Sequence, residues 1–160
     1  MCPLKFNFHH MEQIEPQFTP APLAFGSAIH EAVAAFYQSV LEGDPMSFSQ
    51  MHDVYREIWA AQTKERVIKF FNGDSEASLF TKAQAMLEAF LSSFDPFVQI
   101  VGIEEPFEVC LEDTIPPLIG GIDAVELSPN GVVTVVDLKT ASKRYSDQRR
   151  KCYSFERVFL

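Results

Sequence analysis

One stretch, residues 118–140, limits what this chain can fold into more than any other. Two apolar, β-branched runs, 118–127 and 132–138, flank Ser128-Pro129-Asn130-Gly131, the punctuation of a tight reversal. Pro129 lacks the backbone N–H that a two-residue Asn-Gly loop would use. It suits the second position of a type I turn instead, with Gly131 taking the left-handed conformation that follows. Such a loop pairs Ser128 with Val132. Counting outward, Asp123 falls opposite Asp137 and Gly121 opposite Lys139. Because side chains alternate along a strand, Asp137 and Lys139 share a face, and three charges converge on one patch.

Like charges directly opposed on a sheet are destabilising, and a buried unpaired carboxylate costs far more. A divalent cation resolves the conflict. Carboxylates suit Mg2+ or Mn2+, hard cations that take oxygen ligands, and the Leu138 carbonyl can add a further oxygen. Lys139 is then placed to meet an attacking water or the charge developing on a phosphorane. The bland alternative is a hairpin whose Asp and Lys residues are merely solvated on its outer face.

At 160 residues and 47% hydrophobic, the chain is long enough for one α/β domain over residues 1–160 with a proper core. It has no run of about eighteen apolar residues and no charged-then-apolar leader, so a soluble, cytoplasmic protein with no membrane association is expected. Cys2, Cys110 and Cys152 are scattered and odd in number, which argues against a disulfide framework. The 22 acidic and 13 basic residues give a formal charge of -9, which by itself counts against a dedicated nucleic-acid binder. The distribution of the charges weakens that objection. Lys143, Arg144, Arg149, Arg150, Lys151 and Arg157 stand against Asp147 and Glu156 just after the candidate site, and acidic ligands are themselves what a metal-dependent phosphodiesterase needs.

Residues 1–22 are rich in proline and aromatics without a steady period and read as an extended lead-in. His9-His10 has no partner at ligand spacing and reads as loop rather than metal site. From 23 to about 41 the apolar stripe of Ile29, Val33, Phe36, Tyr37 and Val40 predicts a helix. Gly26 on it would permit close approach of another backbone. His30 sits beside the stripe, where a lone histidine is more often a boundary residue than a ligand. A second helix starts near Ser47 or Ser49 and turns Met51, Val54, Tyr55, Ile58 and Trp59 inward. The run 66–71 is ambiguous between a helix end and a strand. A third helix, 75–92, buries Leu79, Phe80, Ala83, Met86, Leu87, Phe90 and Leu91 before Asp95-Pro96 stops it. The period then falls to two over 97–112, one or two strands with Phe107, Val109 and Leu111 packed inward. Glu105 would share their face and Glu104 the opposite one, unless Pro106 disturbs the alternation.

Several segments, taken in order, carry a resemblance. Gly-Ser-Ala-Ile-His (26–30) on a helix, Glu-Glu-Pro-Phe (104–107) on a strand, Gly-Gly-Ile-Asp (120–123) and Val-Asp-Leu-Lys-Thr (136–140), opened by Cys-Pro-Leu-Lys-Phe (2–6), resemble the RecB-like branch of the PD-(D/E)xK nuclease superfamily. The similarity runs to about residue 146. It implies a restriction-endonuclease-like α/β core, with a central mixed β-sheet flanked by α-helices, and a Mg2+- or Mn2+-dependent phosphodiesterase acting on DNA. Carried over, His30, Asp123 and Asp137, with the Leu138 carbonyl, match the metal ligands, Lys139 the catalytic lysine and Glu104 an accessory acid. Two departures stand out. A Gln-x-x-x-Tyr element should follow the lysine strand, but Gln148 and Tyr153 are one residue too far apart, and the chain ends before the family's final helix and strand, so a domain incomplete at its C-terminus is expected. Some relatives bind an iron–sulfur cluster through an early cysteine and a cysteine trio near the C-terminus; Cys2 matches the first, but the trio is absent and a cluster is not supported.

The expected function is therefore a metal-dependent DNA exonuclease in repair, recombination or phage DNA processing, with DNA and a helicase or recombination protein as partners. The rival readings are a non-catalytic DNA-binding or assembly module that keeps the fold, and a metal-stabilised structural domain.

Overall fold

The reversal at Ser128 folds as its chemistry dictates. In the computed structural model, which describes residues 2–71, 73–112 and 116–140, the Gly131 N–H donates to the Ser128 carbonyl and the Ser128 N–H to the Val132 carbonyl, both at 2.9 Å. Gly131 has φ +83°, a conformation that costs glycine nothing. The Ser128 hydroxyl holds the loop together through the Val132 backbone and the Asn130 side chain. From this loop, strand β4 (Leu118–Leu127) and strand β5 (Val133–Val136) pair antiparallel, from Leu127 opposite Val133 to Ala124 opposite Val136. One step further, the register sets Asp123 opposite Asp137.

The ladder stops there, short of the expected 132–138. The Asp123 carboxylate accepts the Leu138 N–H at 2.5 Å, so a side chain takes the donor that the next rung would have used. Gly121 and Lys139 consequently do not pair.

On the other side of β4 lies strand β3 (Gln99–Val109), a single strand with a register shift between Ile100 and Gly102. The three strands form an antiparallel sheet in the order β3-β4-β5. Phe107, Val109 and Leu111 are not packed inward as the alternation suggests: Val109 is 44% and Leu111 68% exposed. Burial on this strand pair ends at Gly102 and Ala124, so among the described residues no layer covers the far half of the hairpin. Phe107 finds local cover instead, its ring lying where a Cβ on Gly120 would come within 2.5 Å of it. The bulge lies upstream of the two glutamates: the register runs without a further shift from Gly102 to Val109, so Glu105 keeps the parity of Phe107 and Glu104 the opposite one as expected, with Glu104 at φ +50°.

Helix α2 (Ala21–Leu41) packs against β3 and β4 on one side and against two further helices on the other. Its Ala21, Ala24, Ala28 and Ala32 are buried, and such small side chains allow close approach. Helix α3 (Phe48–Glu65) begins at Ser47 with a reciprocal cap to Gln50 and buries Met51, Tyr55 and Trp59. Helix α4 (Glu76–Ser93) has the same device in Ser75 and Ser78, and buries Leu79, Ala83, Met86, Leu87 and Phe90. Phe80 and Leu91 reach only partial burial. Phe36 and Tyr37 of α2 meet Phe90 of α4 edge to face at 5.4 and 5.7 Å, which locks the helices over the sheet.

The lead-in is less extended than its composition suggests. Helix α1 (Pro3–Phe6), with proline in its first turn, runs into a π-helical segment Asn7–Met11. Strand β1 (Thr19–Pro20) pairs in parallel with strand β2 (Ile68–Lys69), so the ambiguous 66–71 run holds both the end of α3 at Arg66 and a two-residue strand. Parallel and antiparallel pairings thus occur in separate sheets among the described residues. The basic segment after residue 140, Gln148, Tyr153 and Cys152 lie outside the described residues, as do the His9 and His10 side chains.

Candidate active site

The sheet register assembles the acids. Ile103 pairs with Ala124 and Glu105 with Ile122, which brackets Glu104 opposite Asp123, and Asp123 in turn stands opposite the Asp137 position. Glu104 on β3, Asp123 on β4 and Asp137 directly after β5 therefore fall in one row of the register. Register counting gives Asp123 and Asp137 from the sequence; Glu104 is named there by the resemblance alone.

Helix α2 brings the imidazole. His30 Nδ1 lies 3.3 Å from Asp123 Oδ1, both side chains partly buried. The other Asp123 oxygen holds the Leu138 N–H, so this carboxylate bridges α2 and the end of β5. Leu138 itself is buried, bordering a small apolar cavity with Ile29, Val33 and Phe90. Its anchoring between Asp137 and Lys139 leaves those two on the opposite face, where Lys139 Nζ contacts Asp137 Oδ1 at 2.6 Å with both side chains 46% exposed.

His30 and Glu104 line one cavity of about 420 Å3, together with Gly26, Ser27, Glu31 and Thr140. A Cβ on Gly26 would come within 3.0 Å of Thr140 Oγ1. The glycine thus makes room for a side chain, where the sequence suggested a backbone. Ser27, Glu31 and Thr140 were not singled out from sequence, although each is adjacent to a residue that was. Glu126 was missed as well: on the buried face with Ala124, it accepts a hydrogen bond from Tyr37 at 2.9 Å. Parity counted from Asp123 would have found it.

The structure thus joins His30 to Asp123 and Asp137 to Lys139, and aligns Glu104 with both acids. Among the described residues, no three His, Cys, Asp or Glu side chains are yet drawn together around a single point that could hold a metal ion. The donor chemistry nonetheless suits Mg2+ or Mn2+: carboxylate oxygens supplemented by one imidazole nitrogen. Binding through Asp137 would require its oxygen to exchange the Lys139 ammonium for the cation.

The model of the PD-(D/E)XK nuclease superfamily matches residues 1–155. The chain belongs to this superfamily. Its α/β architecture agrees with the restriction-endonuclease-like fold expected from the sequence. PD-(D/E)XK nucleases generally use divalent metals such as Mg2+. Comparison with curated proteins gives no match. No helix among the described residues of this PD-(D/E)XK chain is long and apolar enough to cross a membrane.

Proposed function

We propose that this chain is a RecB-like DNA exonuclease, hydrolysing phosphodiester bonds in repair, recombination or phage DNA processing, in the cytoplasm and as a single domain. The observation that carries the reading is the cross-sheet row of Glu104, Asp123 and Asp137, with His30 at one end of its reach and Lys139 at the other. A scaffold gains nothing by aligning acids in this way.

His30, Asp123, Asp137 and the Leu138 carbonyl would hold the divalent ion, Mg2+ or Mn2+, and Glu104 would serve as accessory acid. When bound, such an ion supplies Lewis acidity to the phosphodiester. Lys139 orients the attacking water and stabilises negative charge as the new P–O bond forms and the bond to the departing sugar oxygen breaks; that oxygen leaves with a proton. Leu138 keeps the two flanking charges on the open face. A helicase or recombination protein is the natural partner, presenting opened DNA to the row.

A second reading, a non-catalytic DNA-binding or assembly module, draws support from one contact. Lys139 closes on Asp137 at 2.6 Å and neutralises the acid that metal binding would engage. A cleavage assay on end-labelled single- and double-stranded DNA separates the two. Metal-dependent cutting, abolished by EDTA and by Asp137→Ala and Lys139→Ala, is the expected result, and the label pattern distinguishes exonuclease from endonuclease. Cutting retained by Asp137→Ala would overturn the nuclease mechanism. DNA binding without cutting would establish the module.

A further inference from the structure

A second cavity adjoins the candidate site. Its volume is about 250 Å3, and it is bordered by Thr19, Leu23, Ser27, Gln62, Glu65 and Arg66. Leu23 and Ser27 also line the cavity of His30 and Glu104. Being one helical turn apart, they form a common wall on α2 between the two spaces. Leu23 is 66% exposed on that wall, an apolar surface over which a sugar or base can pass.

The charges differ on the two sides. The first cavity carries Glu31 and Glu104 beside His30; the second carries Arg66 next to Glu65. Among the described residues, no carboxylate stands within ion-pair distance of Arg66. On a chain of net charge -9, a polyanion is repelled overall and is held only where an uncompensated cation meets it. The guanidinium fork matches a phosphate better than any other side chain. Arg66 is also firmly based: it terminates α3, its N–H donates to the Gln62 carbonyl, and the chain turns directly into β2.

We infer that the Arg66 cavity is a second nucleotide subsite, in which Arg66 grips a phosphate neighbouring the scissile one as the strand crosses the Leu23–Ser27 wall of α2. This rests on the nuclease reading for the strand's destination, but not for its binding. Arg66 is a positioning residue: it sets where the strand lies relative to the row of acids.

The test uses the full chain and a fluorescein-labelled oligothymidylate, with binding measured in EDTA over a series of salt concentrations and cleavage measured separately with Mn2+. Arg66→Gln is expected to weaken binding about tenfold and to reduce the slope of log affinity against log salt by about one. It should also raise KM for the oligonucleotide more than it lowers kcat. Arg66→Lys should restore most of the affinity, and Glu65→Gln should strengthen binding. Arg56→Gln, which removes an exposed charge elsewhere on α3, should change neither affinity nor slope. Unchanged affinity and slope in Arg66→Gln would overturn the subsite even if the wild type cuts DNA. An equal loss in Arg56→Gln would also overturn it, reducing the effect to net charge. Arg66-dependent binding without any cutting would uphold the subsite and overturn the nuclease reading.

Discussion

Tyr37 and Tyr55 show how differently two buried phenols can contribute. Tyr37 donates to the buried Glu126 carboxylate, so Tyr37→Phe should cost about 1–3 kcal/mol, read as a lower denaturant midpoint. The Tyr55 hydroxyl is buried with no hydrogen-bond partner among the described residues, and Tyr55→Phe should be neutral or stabilising. Burial, with a smaller contribution from the Glu76 charge, pushes the Tyr55 phenol well above its ordinary value of 10.0. The folded chain therefore keeps this proton where the unfolded chain loses it. The contribution is whole below pH 10.0 and falls as pH rises beyond it, so Tyr55→Phe should flatten the alkaline decline in melting temperature. Single residues were the least legible part of the sequence. From its own segment His30 reads as a helix-edge histidine and only the resemblance marks it as a ligand, because its neighbour Asp123, 3.3 Å away, comes from a strand more than ninety residues later.

Elements were legible where their ends carry local chemistry. Ser47 with Gln50 and Ser75 with Ser78 announce α3 and α4, and Pro129 with Gly131 announces the register of β4 and β5. Gly131→Ala should cost about 1–2 kcal/mol, because the added Cβ is forced into the left-handed region; a thermal melt would read the loss. Strand β3 was harder to foresee. Its bulge after Ile100 and the positive φ at Glu104 leave no local signature, so Glu104 is legible through the resemblance and not through counting. The inward packing expected of Phe107, Val109 and Leu111 failed for a related reason: alternation tells which residues share a face, not whether anything covers it. The nine-residue helical lead-in is too short to display a period at all.

At the scale of the molecule, an acidic chain whose carboxylates are aligned should be stabilised by what they bind. Mn2+ at about a hundred times its dissociation constant should add about 2.7 kcal/mol of stability, seen as a rise in melting temperature, and Asp123→Asn should remove most of that rise. A chain whose acids serve only as a solvated surface would show no specific shift. The loop at residues 128–131 has a further consequence for anyone altering the protein. Exposed loop tips are ordinarily the safest places to insert a tag or open a chain. Here a single added residue that shifted the register, in a solvent-facing turn remote from the chemistry, would carry Asp137 to the wrong side of the sheet and turn Val136 and Leu138 out of the core with it. The turn acts as a vernier for site and core together, and a library of insertions there should show both lost activity and a lower melting temperature.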